Sequence, residues 1–201
     1  MSNRLDGILL AAGESRRMGY PKPLLTIDGK TFIEKISATM LAVVPRLVVV
    51  LGAHADRIRR AIPRDERIVI VENPNYSRGQ LSSLKIGLDV VQSEAAGVIV
   101  HLADHPIVRV ESFRAVVDSY GQARKQIVIA RSGGQRGHPV IFDRSIFDEL
   151  QNAPEDEGAR YVVNADASRV EYVDLDDSGI NLDLDTPADL ARAGLGPAPR
   201  D

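Results

Sequence analysis

The chain has 201 residues and a net charge of −3, with 44% hydrophobic and 26% charged residues, so one domain with a large core is expected and a sequence-independent grip on DNA or RNA is not. Aromatics are only 4% and tryptophan is absent, which disfavours base-stacking platforms; the lack of cysteine excludes disulfides, thiolate metal sites and a cysteine nucleophile. The opening MSNRLDGILL has no basic region followed by a long apolar core, and no apolar run approaches membrane-spanning length, so the expectation is a cytoplasmic protein without membrane or nucleic-acid partners.

In chain order, Leu5–Ala11 is an apolar run that predicts a buried strand. It leads into LAAGESRRMGYPKPLL, residues 10–25. Thr31–Val44 has helical spacing (Phe32, Ile36, Met40, Val43) and stops before Pro45. Arg46–Leu51 is a β-branched run suited to a strand buried on both faces. Asp56–Ile62 reads as a short helix, Arg67–Val71 as a strand, and residues 73–79 as a loop rich in Asn, Pro and Gly. Ser82–Val91 is helical, Gly97–Leu102 a strand running into Ala103-Asp104-His105-Pro106, Glu111–Ala123 a helix and Gln126–Ala130 a strand. The alternation implies a parallel sheet with helices on both faces. Beyond Arg131 the rhythm changes. Ser132–Gly137 reads as a Gly-rich turn, and His138–Phe142 as a strand for which an antiparallel direction is open. Ser145–Gln151 and Ala159–Asn164 read as short helices, Val170–Val173 and Ile180–Leu184 as short strands, and Pro187–Ala193 as a final helix capped by Thr186. Residues 1–194 are expected to form one domain and 195–201 a flexible tail.

The residues after the first strand have the makings of a phosphate site. Gly13 and Gly19 let backbone N–H groups approach a ligand, and Arg16, Arg17 and Lys22 supply cations. In an open parallel sheet ligands bind at the carboxyl ends of the strands, near the reversal of strand order. Asp104, just past the fourth strand, therefore faces the same crevice, and a carboxylate there suits a divalent cation. Gly29-Lys30-Thr31 looks like the end of a P-loop, but Leu24 stands where that motif needs glycine. The turn Ala11-Ala12-Gly13 also lacks the glycine pattern of a dinucleotide fold.

LAAGESRRMGYPKPLL resembles the signature of the MobA-like nucleotidyltransferases. Further matches follow in order: Gly79-Gln80-Leu81-Ser82-Ser83-Leu84, Leu102-Ala103-Asp104-His105-Pro106, the RGHPV run 136–140, Glu157-Gly158-Ala159-Arg160 and Asp183-Leu184-Asp185-Thr186-Pro187. Together they span residues 5 to 190 and point to the molybdenum cofactor cytidylyltransferase branch. His105 departs from that branch, where Gln or Met is commoner. The resemblance implies a single-domain, three-layer α/β fold of the nucleotide-diphospho-sugar transferase type, with a mostly parallel Rossmann-like sheet.

The resemblance also implies a reaction: a phosphate on an acceptor attacks the α-phosphorus of a nucleoside triphosphate, and pyrophosphate leaves. Such a nucleophile is already ionised at neutral pH, so charge neutralisation and in-line positioning are what the protein must supply. On that basis Lys22 contacts the α-phosphate, while Arg17, with Arg16, holds the β- and γ-phosphates. Backbone around Ala12, Gly13 and Glu14 cradles phosphate or ribose, and Gln80, Ser83 and the Leu10–Ala11–Ala12 backbone read the base. Asp104 binds Mg2+, with Asp185 or Asp183 as second carboxylate and Asp185 preferred; both aspartates also read as solvated strand positions or caps of the last helix. Ala12 narrows the base pocket and favours CTP. Arg136, His138 and Arg160 are placed on an anionic acceptor such as molybdopterin, with a molybdoenzyme or its chaperone as a further partner. Two alternatives stand beside this reading: a transferase acting on a sugar phosphate or other phosphorylated metabolite, and a non-catalytic nucleotide- or cofactor-delivery protein for a molybdoenzyme.

Overall fold

The protein is described here by a computed structural model covering residues 4–123 and 125–196. Its elements are β1 (Leu5–Ala11), β2 (Thr26–Ile27), β3 (Lys30–Thr31), α1 (Phe32–Leu41), β4 (Leu47–Leu51), α2 (Ala55–Arg59), β5 (Ile68–Glu72) and α3 (Gln80–Leu88). They continue with β6 (Gly97–Leu102), α4 (Val110–Ala123), β7 (Ile127–Ser132), β8 (Gln135–Asp143), α5 (Phe147–Asn152), α6 (Arg160–Ala165), β9 (Val170–Asp174) and α7 (Pro187–Arg192).

Seven strands form one sheet in the order β5-β4-β1-β6-β8-β7-β9, and all run parallel except β8, which pairs antiparallel with both its neighbours. The chain builds outward from β1 through β4 to β5, then returns to place β6 on the other side of β1. The reversal of strand order therefore falls between β1 and β6, where such sheets bind ligands.

The period-2 alternation of an extended chain divides each central strand between two cores. Leu5, Leu9 and Ala11 of β1 and Leu47, Val49 and Leu51 of β4 face one core with Phe32, Met40, Phe113 and Leu190. Ile8 and Leu10, with Val48 and Val50, face the other, built on Leu81, Leu84, Phe147 and Val162. Helices α1, α4 and α7 thus cover one face and α3, α5 and α6 the other, giving the expected three layers. Thr31 caps α1 in a reciprocal capping box with Glu34. Within the described residues, no helix is long and apolar enough to cross a membrane.

Two local readings are corrected, and Gly29-Lys30-Thr31, which Leu24 already sets apart from a P-loop, belongs to the small β2–β3 hairpin. Its turn residues Asp28 and Gly29 both have positive φ (54° and 75°), as an Asp-Gly hairpin turn requires. The Gly-rich turn shrinks to Gly133-Gly134, and Gln135, Arg136 and Gly137 already belong to β8. Ile180–Leu184 is not a strand. Ser178–Asn181 forms a 3-10 turn capped by Asp177, and Leu184 then donates its N–H to the Asp104 carbonyl at 3.2 Å rather than to a neighbouring strand. At the chain end Leu195 packs on the first core, and residues 197–201, which include most of the expected tail, lie outside the described residues.

Asp177 ties this turn to the start of α4. It is buried and accepts from Ser112 Oγ (2.6 Å), Arg109 N (2.9 Å) and Gly179 N (3.0 Å). Burial alone would raise its pKa, but these three donors and the Arg109 charge hold it below the usual carboxylate value. A depressed folded pKa contributes stability that is present above about pH 4 and lost as pH falls through the folded value. Asp177→Ala is therefore expected to cost about 2–3 kcal/mol in urea unfolding at pH 7, with a smaller difference from the parent near pH 3.

Candidate active site

Parallel pairing of β1 with β6 sets Leu10 opposite Leu102, so the loops that follow, Ala12–Pro21 and Ala103–Pro106, leave the sheet side by side. The first loop is braced from within. Ser15, at φ 54°, accepts the Met18 and Gly19 N–H groups through its carbonyl, and its hydroxyl accepts the Lys22 N–H at 3.0 Å. Met18 is buried in the core and anchors the middle of the loop. From the other side, Ala53 N donates to the Ala12 carbonyl at 3.0 Å. A Cβ on the intervening Gly52 would lie 2.8 Å from that carbonyl and 2.6 Å from Tyr76 Cβ, so only glycine lets the loop settle there.

Gly13 differs from Gly52. It has no positive φ, and a Cβ placed on it would meet nothing within 4 Å. The protein itself gives no conformational or packing reason for glycine at 13, and the open space beside it is where a ligand would approach the backbone. Gly13→Ala is accordingly expected to leave folding stability unchanged, or to raise it by about 0.5 kcal/mol, while raising the KM for nucleotide about tenfold. A thermal melt and a nucleotide titration of the kinetics check both halves.

Lys22 lies at the centre. Its side chain is 14% exposed, and Nζ donates to Asp104 Oδ2 and to Asp185 Oδ1, each at 2.7 Å. Burial alone would depress the Lys22 pKa. Asp104 and Asp185 together outweigh it and hold the ammonium above its ordinary value, so Lys22 stays charged. Arg17, whose side chain is 71% exposed, donates to the other Asp185 oxygen at 2.7 Å. The last helix is capped by Thr186 in a capping box with Asp189, whose carboxylate also accepts the Asp185 N–H at 3.1 Å. Asp185 is thus held at its backbone while its own carboxylate turns to the cations. Arg16 is almost fully exposed and pairs with Glu14.

Two neighbouring cavities meet at this point. The smaller, of about 250 Å3, is lined by Leu10, Ala11, Ala12 and Gly13, and also by Lys22, Gln80, Ser83 and Asp104. Asn73, just after β5, orients its polar wall: it is buried and donates to Ser83 Oγ (3.0 Å) and Ser82 Oγ (2.8 Å). The larger cavity, of about 760 Å3, shares Leu10, Gly79, Gln80 and Leu102 with the first and extends to Arg136, His138 and Arg160. Arg136 stacks over Tyr172 at 5.2 Å and donates to Asn164 Oδ1 at 3.2 Å, and Arg160 Nε donates to the Glu157 carbonyl at 2.8 Å.

Asp183 stands on the larger cavity and is bound by His105, whose Nε2 lies 2.6 Å from Asp183 Oδ1. Burial alone would lower the His105 pKa, but Asp183 and Asp104 outweigh it and raise it; the His105 hydrogen bond in turn holds Asp183 below the usual carboxylate value. His138 accepts the opposite bias. Burial and the neighbouring His105 push it down to about 4, so it is neutral at pH 7. Of the residues singled out from the sequence, Leu10, Ala11, Ala12, Gly13, Lys22, Gln80, Ser83 and Asp104 line the smaller cavity and Arg136, His138, Arg160 and Asp183 the larger, while Arg16, Arg17 and Asp185 line neither; the sequence gives no sign of the His105–Asp183 contact or the Asn73 brace. His105 and Asp183 are joined only by the topology, whereas Asn73 reaches across the loop to Ser82 and Ser83, 9 and 10 residues on.

Comparison with known proteins identifies the family. The family model described as MobA-like NTP transferase domain matches residues 7–170. The molybdenum cofactor cytidylyltransferase of Escherichia coli (strain K12) is 26% identical over 190 residues, covering 94% of this chain and 95% of that protein. Nicotine blue oxidoreductase of Paenarthrobacter nicotinovorans is 31% identical over 197 residues, with 94% and 95% covered. Among solved structures, Rv0371c of Mycobacterium tuberculosis H37Rv superposes with a TM-score of 0.82 at 31% identity, covering 94% of this chain and 97% of that one; a structure of it in complex with manganese gives 0.77 at 30%. The chain belongs to the MobA-like NTP transferase family and is a nucleotidyltransferase.

Proposed function

We propose that the protein transfers a nucleoside monophosphate, CMP in preference to GMP, from the triphosphate to a phosphorylated acceptor of the molybdopterin type, with Mg2+ required. The observation that carries this reading is the convergence of Asp104 and Asp185 on Lys22 Nζ, at 2.7 Å each, beside the glycine-bearing loop.

The donor set suits a divalent cation. No cluster of three or more His, Asp or Glu among the described residues is placed to hold a metal alone. Two carboxylates that leave the remaining positions to phosphate oxygens and water are how Mg2+ is usually held. Asp104 and Asp185 would hold it, and it would neutralise charge on the phosphate oxygens. The manganese complex of the Mycobacterium tuberculosis relative supports a divalent cation in this fold.

The chain's own residues do the rest. Lys22 faces the α-phosphate and stabilises charge that builds there, and Arg17, at the exposed rim, meets the β- and γ-phosphates. The N–H groups around Ala12 and Gly13 hold the triphosphate in line, and Gln80 and Ser83 face the base. An oxygen of the acceptor's phosphate bonds to the α-phosphorus as the bridging P–O bond to the β-phosphate breaks, and pyrophosphate leaves with the electron pair. The acceptor phosphate needs no general base, being ionised at neutral pH. Ala12, which is buried and lines the smaller cavity, narrows the space for a purine and supports CTP. The larger cavity, with Arg136, His138 and Arg160, supports a sizeable anionic acceptor.

A screen of CTP, GTP and ATP with molybdopterin and with sugar 1-phosphates, read as pyrophosphate release, tests this reading. Release with CTP and molybdopterin supports it. Release only with a sugar 1-phosphate overturns the acceptor, and tight nucleotide binding without turnover, unchanged by Lys22→Ala, would favour a delivery protein. Because one relative is named an oxidoreductase, the screen carries a redox control.

A further inference from the structure

The two aspartates of the Asp183-Leu184-Asp185 segment are two residues apart in extended chain, yet they have different partners. Asp185 turns to Lys22 and Arg17, beside the smaller cavity. Asp183 lines the larger cavity, where one of its oxygens is taken by His105 Nε2 at 2.6 Å. His105 also lines the larger cavity and does not line the smaller. Its Nε2 lies 3.8 Å from the nearer Asp104 oxygen, beyond hydrogen-bond distance, so its partner is Asp183.

The histidine is held from behind. Its side chain is 5% exposed, its Nδ1 lies 3.4 Å from the Gly179 carbonyl, and its own carbonyl faces His101 Nε2 at 3.0 Å. His101 is completely buried and packs edge-on against Phe113 with ring centroids 4.8 Å apart. A ring fixed on this scaffold fixes the carboxylate it grips. The Asp183 side chain nevertheless remains 62% exposed, which leaves its second oxygen available to a ligand in the cavity.

We propose that His105 and Asp183 form a subsite of the acceptor cavity in which the held carboxylate accepts a hydrogen bond from an N–H or O–H donor of the acceptor. Asp183 is then an acceptor-reading residue, His105 its positioning residue, and Asp185 with Asp104 the cation pair. The subsite complements the cationic Arg136 and Arg160 on the same cavity: those arginines suit the acceptor's anionic part, and Asp183 suits its donor-bearing part. This inference rests on the nucleotidyl-transfer reading above.

The test compares Asp183→Asn with Asp185→Asn in the full chain, using Mn2+ with CTP in a calorimetric titration and molybdopterin in steady-state kinetics. Asp183→Asn is expected to keep Mn2+–CTP affinity within about twofold, keep the KM for CTP, and raise the KM for molybdopterin about tenfold. Asp185→Asn is expected to weaken Mn2+–CTP binding by about tenfold or more. His105→Ala should reproduce the Asp183→Asn split, and His105→Gln, whose amide can still donate, should restore part of it. If Asp183→Asn weakens Mn2+–CTP binding as much as Asp185→Asn, the division of labour is overturned while nucleotide transfer stands. If the parent chain itself binds CTP no better with Mn2+, both are overturned.

Discussion

Lys22→Met is expected to lower kcat for nucleotidyl transfer by about 10²–10³-fold while the protein stays folded. Lys22 Nζ bridges two carboxylates 2.7 Å away on either side, in a largely buried position where a methionine stem fills the same space. The lost interaction is with charge developing on the α-phosphate, so the effect belongs in kcat more than in KM for CTP. The substitution also leaves Asp104 and Asp185 without their ammonium. Two neighbouring carboxylates freed of a competing cation attract a divalent ion more strongly, so Mn2+ affinity should hold or rise as turnover falls. Binding measured beside single-turnover chemistry checks both. A loss of Mn2+ affinity in step with kcat would mean that Lys22 organises the acids rather than meeting the phosphate.

Asp104→Asn is expected to lower turnover by a comparable factor of about 10²–10³, through loss of cation binding. Asp104 stands just beyond β6, beside the reversal of strand order, and lines the cavity that holds the glycine-bearing loop. Asparagine keeps the shape and removes the charge. Because the neutral amide no longer pairs with Lys22, the ammonium retains only Asp185, and its raised pKa should fall toward the ordinary value. The predicted signature is a loss of activity that higher Mg2+ partly restores, with the melting temperature little changed. Activity independent of Mg2+ concentration in both the parent and the variant would contradict the role given to Asp104.

Much of this arrangement was legible in the sequence because the informative signals are local. Leu47–Leu51 is a continuous apolar run, and as β4 it is buried on both faces, between the two cores. Gly97–Leu102 reads as one strand from end to end because the β-branched Val98, Ile99 and Val100 form its middle and a turn follows. The loop after β1 carries its glycines and cations within sixteen residues, so phosphate chemistry is visible before any fold is known.

What escaped depends on partners far along the chain. Ile180–Leu184 has the alternation of a strand, and that alternation is real: Ile180 and Leu184 are fully buried while Asp183 and Asp185 face the cavities and the cations. The segment lacks only a ladder, because Leu184 bonds to the Asp104 carbonyl instead. A periodic pattern reports which face is buried and does not report whether a neighbouring strand exists. Asp28-Gly29 was a hairpin signal obscured by the lysine and threonine that follow it. The contacts of Lys22 with Asp104 and of His105 with Asp183 span 82 and 78 residues of chain, and only the sheet order brings them together.

The most direct test of the triphosphate site is a calorimetric titration of CTP with and without Mg2+ in the parent chain and in Asp104→Asn. The geometry predicts one CTP per chain, bound about tenfold more tightly with Mg2+ in the parent, and a weak affinity that the same Mg2+ concentration raises far less in the variant. CTP affinity indifferent to Mg2+ in the parent, or a Mg2+ effect that survives Asp104→Asn undiminished, would contradict it.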